Sequence, residues 1–245
     1  MSLDDRDWYR DAIKRQDDKQ IRTSTAGMDK TLLFTDYSVG NVKAVGIMAL
    51  FFIFFTAITY VAEHYVYYPA TIGLISVNIM IFALVNIHKM SVKQLGVSCA
   101  LVKKYKQYYR IISSEFTHEN AMHIVCNMYS LYNIGSVLER ILGTELYTAA
   151  YFFIAITGGI LSFIIHRKYQ PYVISIGASG IICGLLGVYI AIAFHFTGFR
   201  ALLSVAQSIV LLILMVFSKH IDSIGHFSGL ATGIITGVAV VYLFY

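Results

Sequence analysis

The segment ISIGASGIICGLLGVYIAIAF, residues 174–194, contains no charged side chain. A helix needs about 20 mainly apolar residues to cross the hydrocarbon core of a bilayer, and this segment satisfies that requirement. Other stretches of similar length and composition follow the same pattern, at residues 44–62, 70–87, 121–138, 146–165, 201–218 and 223–245. All seven are predicted to be helices, because a segment in lipid must pair its backbone polar groups internally. The sequence therefore predicts an all-α integral membrane protein.

The overall composition leads to the same class. Apolar residues make up 57% of the 245 positions and charged residues 13%, whereas a soluble domain has about 25% charged residues. The net charge of +5 lies in residues 44–245, because residues 1–43 contain as many acidic as basic side chains. The basic residues stand between apolar runs, where loops meet lipid headgroups, and they form no stripe with interleaved aromatic residues. We therefore expect a lipid bilayer, and no nucleic acid, as a partner.

The predicted organisation has three parts. Residues 1–43 form a polar N-terminal tail, residues 44–68 an additional N-terminal transmembrane helix, and residues 69–245 a core of six helices. Within the loop at 88–120, the apolar stretch 95–102 is too short to span and is expected to lie in the membrane interface. Two points stay open: the conformation of the tail, and whether the first apolar run crosses the membrane completely.

Polar side chains gather near the N-terminal ends of the third, fifth and seventh predicted spans. Short links make neighbouring helices antiparallel, so these three spans run in one direction and their polar ends lie on one side of the membrane. Polar groups within membrane spans are costly and are functional candidates by default. The candidates that share this depth are His118, His123, Asn127, Ser179 and His226.

A serine and a histidine at one depth suggest nucleophilic catalysis. Ser179 would be the nucleophile and His226 the general base. Gly177 and Gly180 flank the serine and would let a substrate carbonyl approach the backbone closely. Asp222 precedes His226 by one helical turn, but no acidic residue is obviously placed as a third catalytic member. We therefore predict a Ser–His dyad.

Two further side chains suggest an oxyanion hole. His123 and Asn127 are separated by four residues, so they lie on one helix face and can direct two donors at a single point. Together with the Ser179 amide they would stabilise a developing oxyanion. Each residue alone has a structural explanation, since serine, histidine and asparagine commonly join neighbouring transmembrane helices. Their common depth is what favours catalysis.

A metal-dependent mechanism is the alternative suggested by His118-Glu119 followed by His123. A zinc protease motif requires two histidines four residues apart on one helix face. Here the separation is five residues, which turns the second ring roughly 140° away from the first. We therefore expect no metal ion and no cofactor.

The order of the motifs resembles the rhomboid family of intramembrane serine proteases over roughly residues 69–245. The motifs that carry the resemblance are Tyr109-Arg110, Phe116-Thr117-His118, Gly135-x-x-x-Glu139, Gly177-Ala178-Ser179-Gly180 and Gly225-His226 with Gly229. The resemblance implies a six-helix core, a Ser179–His226 dyad, and an oxyanion hole of His123, Asn127 and the Ser179 amide. The additional span at 44–62 departs from the six-helix pattern and gives a 1+6 arrangement. It also implies supporting roles for His118, Gly177, Gly180, Arg110 and Glu139.

The resemblance further implies substrates that are single-span membrane proteins, cleaved within the membrane, and we expect the cell membrane as the location. One departure is Cys183, which stands where many relatives have an aromatic ring against the catalytic histidine. The alternative is therefore a catalytically weak or inactive relative that binds membrane-helix clients. If all seven segments span, the distribution of basic residues places the predicted active site toward the cytoplasm; if the first does not, charge leaves the orientation open.

Overall fold

The computed structural model describes residues 41–87, 95–171, 173–200 and 222–245. Within these ranges the regular elements are helices, joined by a single isolated β-bridge between Val97 and Ser175. The N-terminal tail up to residue 40 and the predicted span at 201–218 lie outside the described residues. The helices are α1 (Asn41–Ala62), α2 (Pro69–Ile87), α3 (Cys99–Tyr105), α4 (Arg110–Ser113), α5 (Ala121–Leu142), α6 (Thr144–Tyr169), α7 (Ser179–Thr197) and α8 (Ser223–Phe244), with a 3-10 turn at Ser114–Phe116.

Several of the described helices have the dimensions of membrane spans. Among the residues the structure describes, α2, α6, α7 and α8 are long and apolar enough to cross a membrane. This confirms the prediction of an all-α, multi-pass integral membrane protein. Helices α1 and α5 cover the predicted runs 44–62 and 121–138. The exact 1+6 arrangement and the three-part division of the chain remain predictions.

The start of α7 differs from the sequence prediction. The apolar run begins at residue 174, whereas the helix begins at Ser179. The backbone before it is held in a loop, because Ser175 exchanges two hydrogen bonds with Val97 and the Gly177 amide donates to the Ser114 carbonyl over 2.8 Å. Gly177 has a φ of +105°, a conformation that glycine adopts readily and other residues rarely. Ser179 is thereby the first residue of its helix.

Glycines bring α7 and α8 into backbone contact. A Cβ atom built on Gly229 would lie 1.9 Å from the carbonyl oxygen of Gly180, and one built on Gly233 would lie 1.9 Å from that of Gly184. Only glycine leaves room for this approach. Small residues are the usual means of packing transmembrane helices closely. The contact places the N-terminal ends of both helices side by side.

Glu139 joins the end of α5 to the start of α2. Its carboxylate accepts hydrogen bonds from the amides of Ala70 and Thr71, both over 2.8 Å, and from the hydroxyls of Thr71 and Thr144. Glu139 is buried while the adjacent Arg140 is exposed, because the carboxylate satisfies amides at a helix N-terminus that lack partners within their own helix.

The core lies between the central helices. Large side chains from α2, α5, α6 and α7 are completely or almost completely buried there, namely Leu74, Val77, Leu131, Leu138, Tyr147, Tyr151, Ile154, Leu185 and Val188. Many apolar side chains on the opposite helix faces are exposed, among them Phe153, Ile235 and Leu243. This distribution is typical of helices that pack together on one face and contact lipid on the other.

Candidate active site

Ser179 and His226 form a hydrogen bond at the paired ends of α7 and α8. The Nε2 atom of His226 lies 2.6 Å from the Oγ atom of Ser179. Ser179 is the first residue of α7, and His226 lies in the first turn of α8. The glycine contact between Gly180 and Gly229 holds the two helices close enough for this bond. The structure therefore brings together a serine hydroxyl and a possible base within hydrogen-bond reach.

The other nitrogen of His226 lacks an acidic partner in the described part of the chain. Its Nδ1 atom is buried and makes no hydrogen bond there. Asp222, the only nearby carboxylate that the sequence suggested, is bound elsewhere. It caps α8 by accepting a hydrogen bond from the Gly225 amide over 2.9 Å, and it also accepts one from the Ser175 hydroxyl. Among the described residues, the hydrogen bond between His226 and Ser179 is therefore not extended to a carboxylate.

His123 and Asn127 face the loop that precedes the serine. A Cβ atom built on Gly177 would lie 2.7 Å from His123 Nε2 and 3.4 Å from Asn127 Nδ2. Both side chains of α5 therefore point at the same short piece of backbone. Asn127 Nδ2 is buried and has no hydrogen-bond partner among the described residues. A buried donor without a partner is costly, by about 1–3 kcal/mol, and such groups often serve a ligand.

His118 packs against His123 directly before α5. The two rings meet edge to face, with centroids 5.1 Å apart and an interplanar angle of 74°. Burial, together with the neighbouring His123, lowers the pKa of His118 to about 4. His118 is therefore neutral at neutral pH and supports His123 by packing. The described residues contain no group of three or more His, Cys, Asp or Glu side chains placed to hold a metal ion.

Arg110 holds the loop that borders the site. Its side chain is buried, and it donates to the Gly96 carbonyl and to the Gln107 side chain, each over 2.8 Å. Gly96 directly precedes Val97, whose backbone pairs with Ser175. Arg110 thus supports the loop against which the segment leading to Ser179 is paired.

A small cavity next to the dyad contains an acidic residue that sequence reasoning missed. Ser179, His226, Asp222 and Glu115 all line this cavity. The Glu115 residue as a whole is half-buried, but its carboxyl group is enclosed by protein. This burial, together with the negative charge of Asp222, raises the pKa of Glu115 to about 8. Its position directly before Phe116-Thr117-His118 was the only available signal.

His166 is a second residue that the sequence did not indicate. It lies near the end of α6, and its Nε2 atom is 3.1 Å from an Asp222 carboxylate oxygen. In the sequence it stands beside Arg167 and Lys168, where it resembles an ordinary basic helix end. Cys183, which stands where many relatives have an aromatic residue, is buried in α7.

Comparison with known proteins identifies a family that covers more than half of the chain. The family described as the rhomboid domain matches residues 105–243. Similar proteins include Rhomboid-like protease 3 of Toxoplasma gondii, which is 28% identical over 57% of this chain and 54% of its own length. Rhomboid protease GluP of Bacillus subtilis (strain 168) is 28% identical over 55% of this chain and 26% of its own length. RHOMBOID-like protein 1 of Arabidopsis thaliana is 26% identical over 60% of this chain and 39% of its own length. The chain spans about half the length, or less, of these curated relatives.

Proposed function

The chain belongs to the rhomboid family, and from this premise we propose that it is an intramembrane serine endopeptidase that uses a Ser179–His226 dyad. The observation that carries the proposal is the 2.6 Å hydrogen bond between His226 Nε2 and Ser179 Oγ. A serine hydroxyl is a weak nucleophile until a base within reach accepts its proton. Here the base and the hydroxyl belong to two membrane-spanning helices in backbone contact.

The first half of the reaction is acyl transfer. His226 Nε2 accepts the Ser179 proton while Oγ attacks the carbonyl carbon of the scissile peptide bond. The electron pair of the carbonyl moves onto its oxygen, and the resulting tetrahedral intermediate collapses as His226 gives the proton to the leaving nitrogen. This yields an ester on Ser179. Water then attacks the ester with His226 again as base, and the serine is regenerated.

Three donors would stabilise the oxyanion that forms in both halves. His123 Nε2 and Asn127 Nδ2 both lie near Gly177, and Asn127 has no competing partner among the described residues. The Ser179 amide belongs to the first turn of α7, where backbone N–H groups have no acceptor within the helix. The positive end of the helix dipole lies there as well. Donors fixed in advance are worth more than mobile water, because they need no reorganisation during the reaction.

The proposed substrates are transmembrane segments of membrane proteins, and single-span proteins in particular. The dyad lies at the ends of helices that are apolar over their remaining length, so a substrate must come from the bilayer or its surface. A peptide bond within a helix is shielded by its own turn. The substrate segment must therefore unwind locally before Ser179 can attack.

Cys183 is the observation that favours a second candidate. It is buried in the first turns of α7, at the place where the family resemblance implies an aromatic ring against the histidine. A thiol offers much less contact area than an aromatic ring. With a poorly supported base, the protein would bind membrane-helix clients and cleave them weakly or not at all.

The test is cleavage of a reporter transmembrane segment by the purified full chain in lipid vesicles. Wild type is expected to cut the reporter and to react with a fluorophosphonate probe, while Ser179→Ala and His226→Ala do neither. Ser130→Ala is the matched control, because this serine is exposed on α5. Equal cleavage by wild type and Ser179→Ala would overturn the proposal. Reporter binding by a folded wild type that neither cleaves nor labels would support the client-binding function instead.

A further inference from the structure

The carboxylate of Asp222 lies where three parts of the structure meet. Its Oδ1 atom accepts a hydrogen bond from the Gly225 amide at the start of α8, and Oδ1 also lies 3.1 Å from His166 Nε2 at the end of α6. Its Oδ2 atom accepts a hydrogen bond from the Ser175 hydroxyl in the loop before α7. One side chain thus connects α6, α8 and the segment that leads to the nucleophile.

The groups around His166 favour its charged form. Its Nδ1 atom lies 3.0 Å from the carbonyl oxygen of Ser162 and 3.1 Å from the Ser162 hydroxyl. The carbonyl can only accept a hydrogen bond, whereas the hydroxyl can donate to a bare nitrogen or accept from a protonated one. If Nε2 were bare, its lone pair would face a carboxylate oxygen at 3.1 Å. A proton on Nε2 removes this repulsion. Only an imidazolium can donate to the Ser162 carbonyl and to the Asp222 carboxylate at the same time, and the adjacent carboxylate favours this charged form.

The acidity of Asp222 agrees with this assignment. Burial by itself would raise the pKa of Asp222, but the neighbouring His166 and the hydrogen bonds from Ser175 and the Gly225 amide outweigh burial and lower it. The side chain of His166 is 5% exposed and that of Asp222 is 18% exposed. In such a position a lone charge would be costly, whereas a pair with further hydrogen bonds is tolerated.

We propose that the His166–Asp222 ion pair positions the two proposed catalytic residues relative to each other. The inference rests on the function proposed above. Asp222 is fixed four residues before His226, and Ser175 is fixed four residues before Ser179, so one carboxylate sets the backbone on both sides of the dyad. Gly225 fits beneath it, since a Cβ atom there would lie 2.8 Å from Asp222 Oδ2.

The pair acts through position rather than as part of a catalytic triad. Both oxygens of Asp222 are engaged by Gly225, His166 and Ser175. The free nitrogen of His226, Nδ1, makes no hydrogen bond to any described residue. Asp222 therefore neither orients the His226 ring directly nor shares its proton. A displacement of about 1 Å at a reacting group can lower the rate about a hundredfold. An ion pair that fixes both segments would therefore maintain the reaction rate.

The kinetic test compares Asp222→Asn, His166→Gln and the double variant with wild type in the reporter assay. Each single variant is expected to lower kcat about tenfold while KM changes less than about twofold, because positioning affects the reacting groups and leaves substrate binding intact. The double variant is expected to be no slower than the slower single variant, since both disrupt one pair. Arg167→Gln is the control: it removes a neighbouring charge that is exposed, and its kcat should equal that of wild type.

A milder variant covers the case in which Asp222→Asn does not fold. Ser175→Ala removes one hydrogen bond to the carboxylate and is expected to lower kcat by about two- to fivefold. Kinetic constants equal to those of wild type in these variants would overturn the inference. Losses that are additive in the double variant, or equal in kcat and KM and parallel to thermal destabilisation, would also overturn it.

A spectroscopic measurement separates this inference from the proposed activity. In protein with ¹⁵N-labelled histidine, the resonance that disappears in His166→Gln should have the shift of an imidazolium at neutral pH. The same signal is expected in the Ser179→Ala variant, and it should become that of a neutral ring in Asp222→Asn. A neutral His166 in wild type would disprove the ion pair even if the protease is active. If wild type cleaves nothing but His166 is an imidazolium, the ion pair is present and its proposed catalytic role is wrong.

Discussion

His226 and Ser179 are hydrogen-bonded across 47 positions of sequence, with 2.6 Å between Nε2 and Oγ. The bond depends on backbone contact between two helices, since a Cβ on Gly229 would lie 1.9 Å from the Gly180 carbonyl oxygen. The dyad geometry therefore follows from helix packing one turn away from the reacting atoms. Several consequences of this packing and of the groups around it can be measured.

Gly229→Ala should separate α7 from α8. The added methyl group would overlap the Gly180 carbonyl, and overpacking of this kind costs about 1–3 kcal/mol. We expect a lower thermal midpoint and a large loss of reporter cleavage, because the Ser179–His226 bond lengthens. Ala231→Val is the control, since this residue of α8 is exposed and should tolerate a larger side chain. Wild-type cleavage by Gly229→Ala would show that the helices can move apart without harm.

Asn127→Ala should lower kcat by about 10²–10³ with little change in KM, as removal of an oxyanion donor does elsewhere. The donor acts on charge that exists only in the transition state. Asn133→Ala, on the same helix, is the control, because Asn133 is exposed and bonds to the Tyr129 carbonyl of its own helix. Steady-state kinetics on the reporter segment will distinguish them. An equal effect of the two substitutions would argue against an oxyanion role for Asn127.

Gly177→Ala should disturb the proposed oxyanion hole more than an equivalent substitution elsewhere. The residue has a φ of +105°, and an added Cβ would lie 2.7 Å from His123 Nε2. Gly143→Ala is the matched control, because Gly143 has a φ of +77° but no atom within 4 Å of the added methyl group. Both variants are strained, but only Gly177→Ala should lose most of its fluorophosphonate labelling. Equal labelling rates for the two variants would contradict a role of the Gly177–His123 contact in the proposed site.

Glu139→Gln should destabilise the join between α5 and α2. The carboxylate accepts hydrogen bonds from the Ala70 and Thr71 amides, and a glutamine NH₂ group cannot accept in place of the second oxygen. An unpaired buried amide costs about 1–3 kcal/mol, so we expect a measurable fall in the thermal midpoint. Glu145→Gln is the control, since this glutamate is exposed. An unchanged midpoint for Glu139→Gln would show that these hydrogen bonds contribute little.

Glu115 should make stability depend on pH. Its pKa is raised to about 8 by burial and by Asp222, so the folded chain retains a proton that the unfolded chain releases at about pH 4.3. Its contribution is complete at low pH and is lost as the pH rises toward 8. Between about pH 6.5 and 8 the thermal midpoint of wild type should fall more steeply than that of Glu115→Gln. Glu119→Gln, an exposed neighbour, should behave like wild type; parallel curves for wild type and Glu115→Gln would mean that Glu115 is ionised throughout.

Some features of the protein follow from the sequence alone. Uncharged runs of about 20 residues can exist in lipid only as helices or closed barrels, which is why α2, α6, α7 and α8 were predictable. The common direction of alternate spans placed His123, Ser179 and His226 at one depth, because a helix that crosses a membrane has only two possible directions. Local spacing was sufficient for these conclusions.

The tertiary structure decided which polar groups meet. Composition did not distinguish the loop at 173–178 from the helix that follows, because the loop carries Val173, Ile174 and Ile176 and is as apolar as a span. Asp222 could have faced His226, four residues away, but it pairs with His166, 56 positions earlier in the chain. Glu139 likewise bonds to Ala70, across 69 positions, and not to the adjacent arginine. A buried carboxylate bonds to the donors that helix packing brings within reach. These contacts between helices are not encoded in any local sequence pattern.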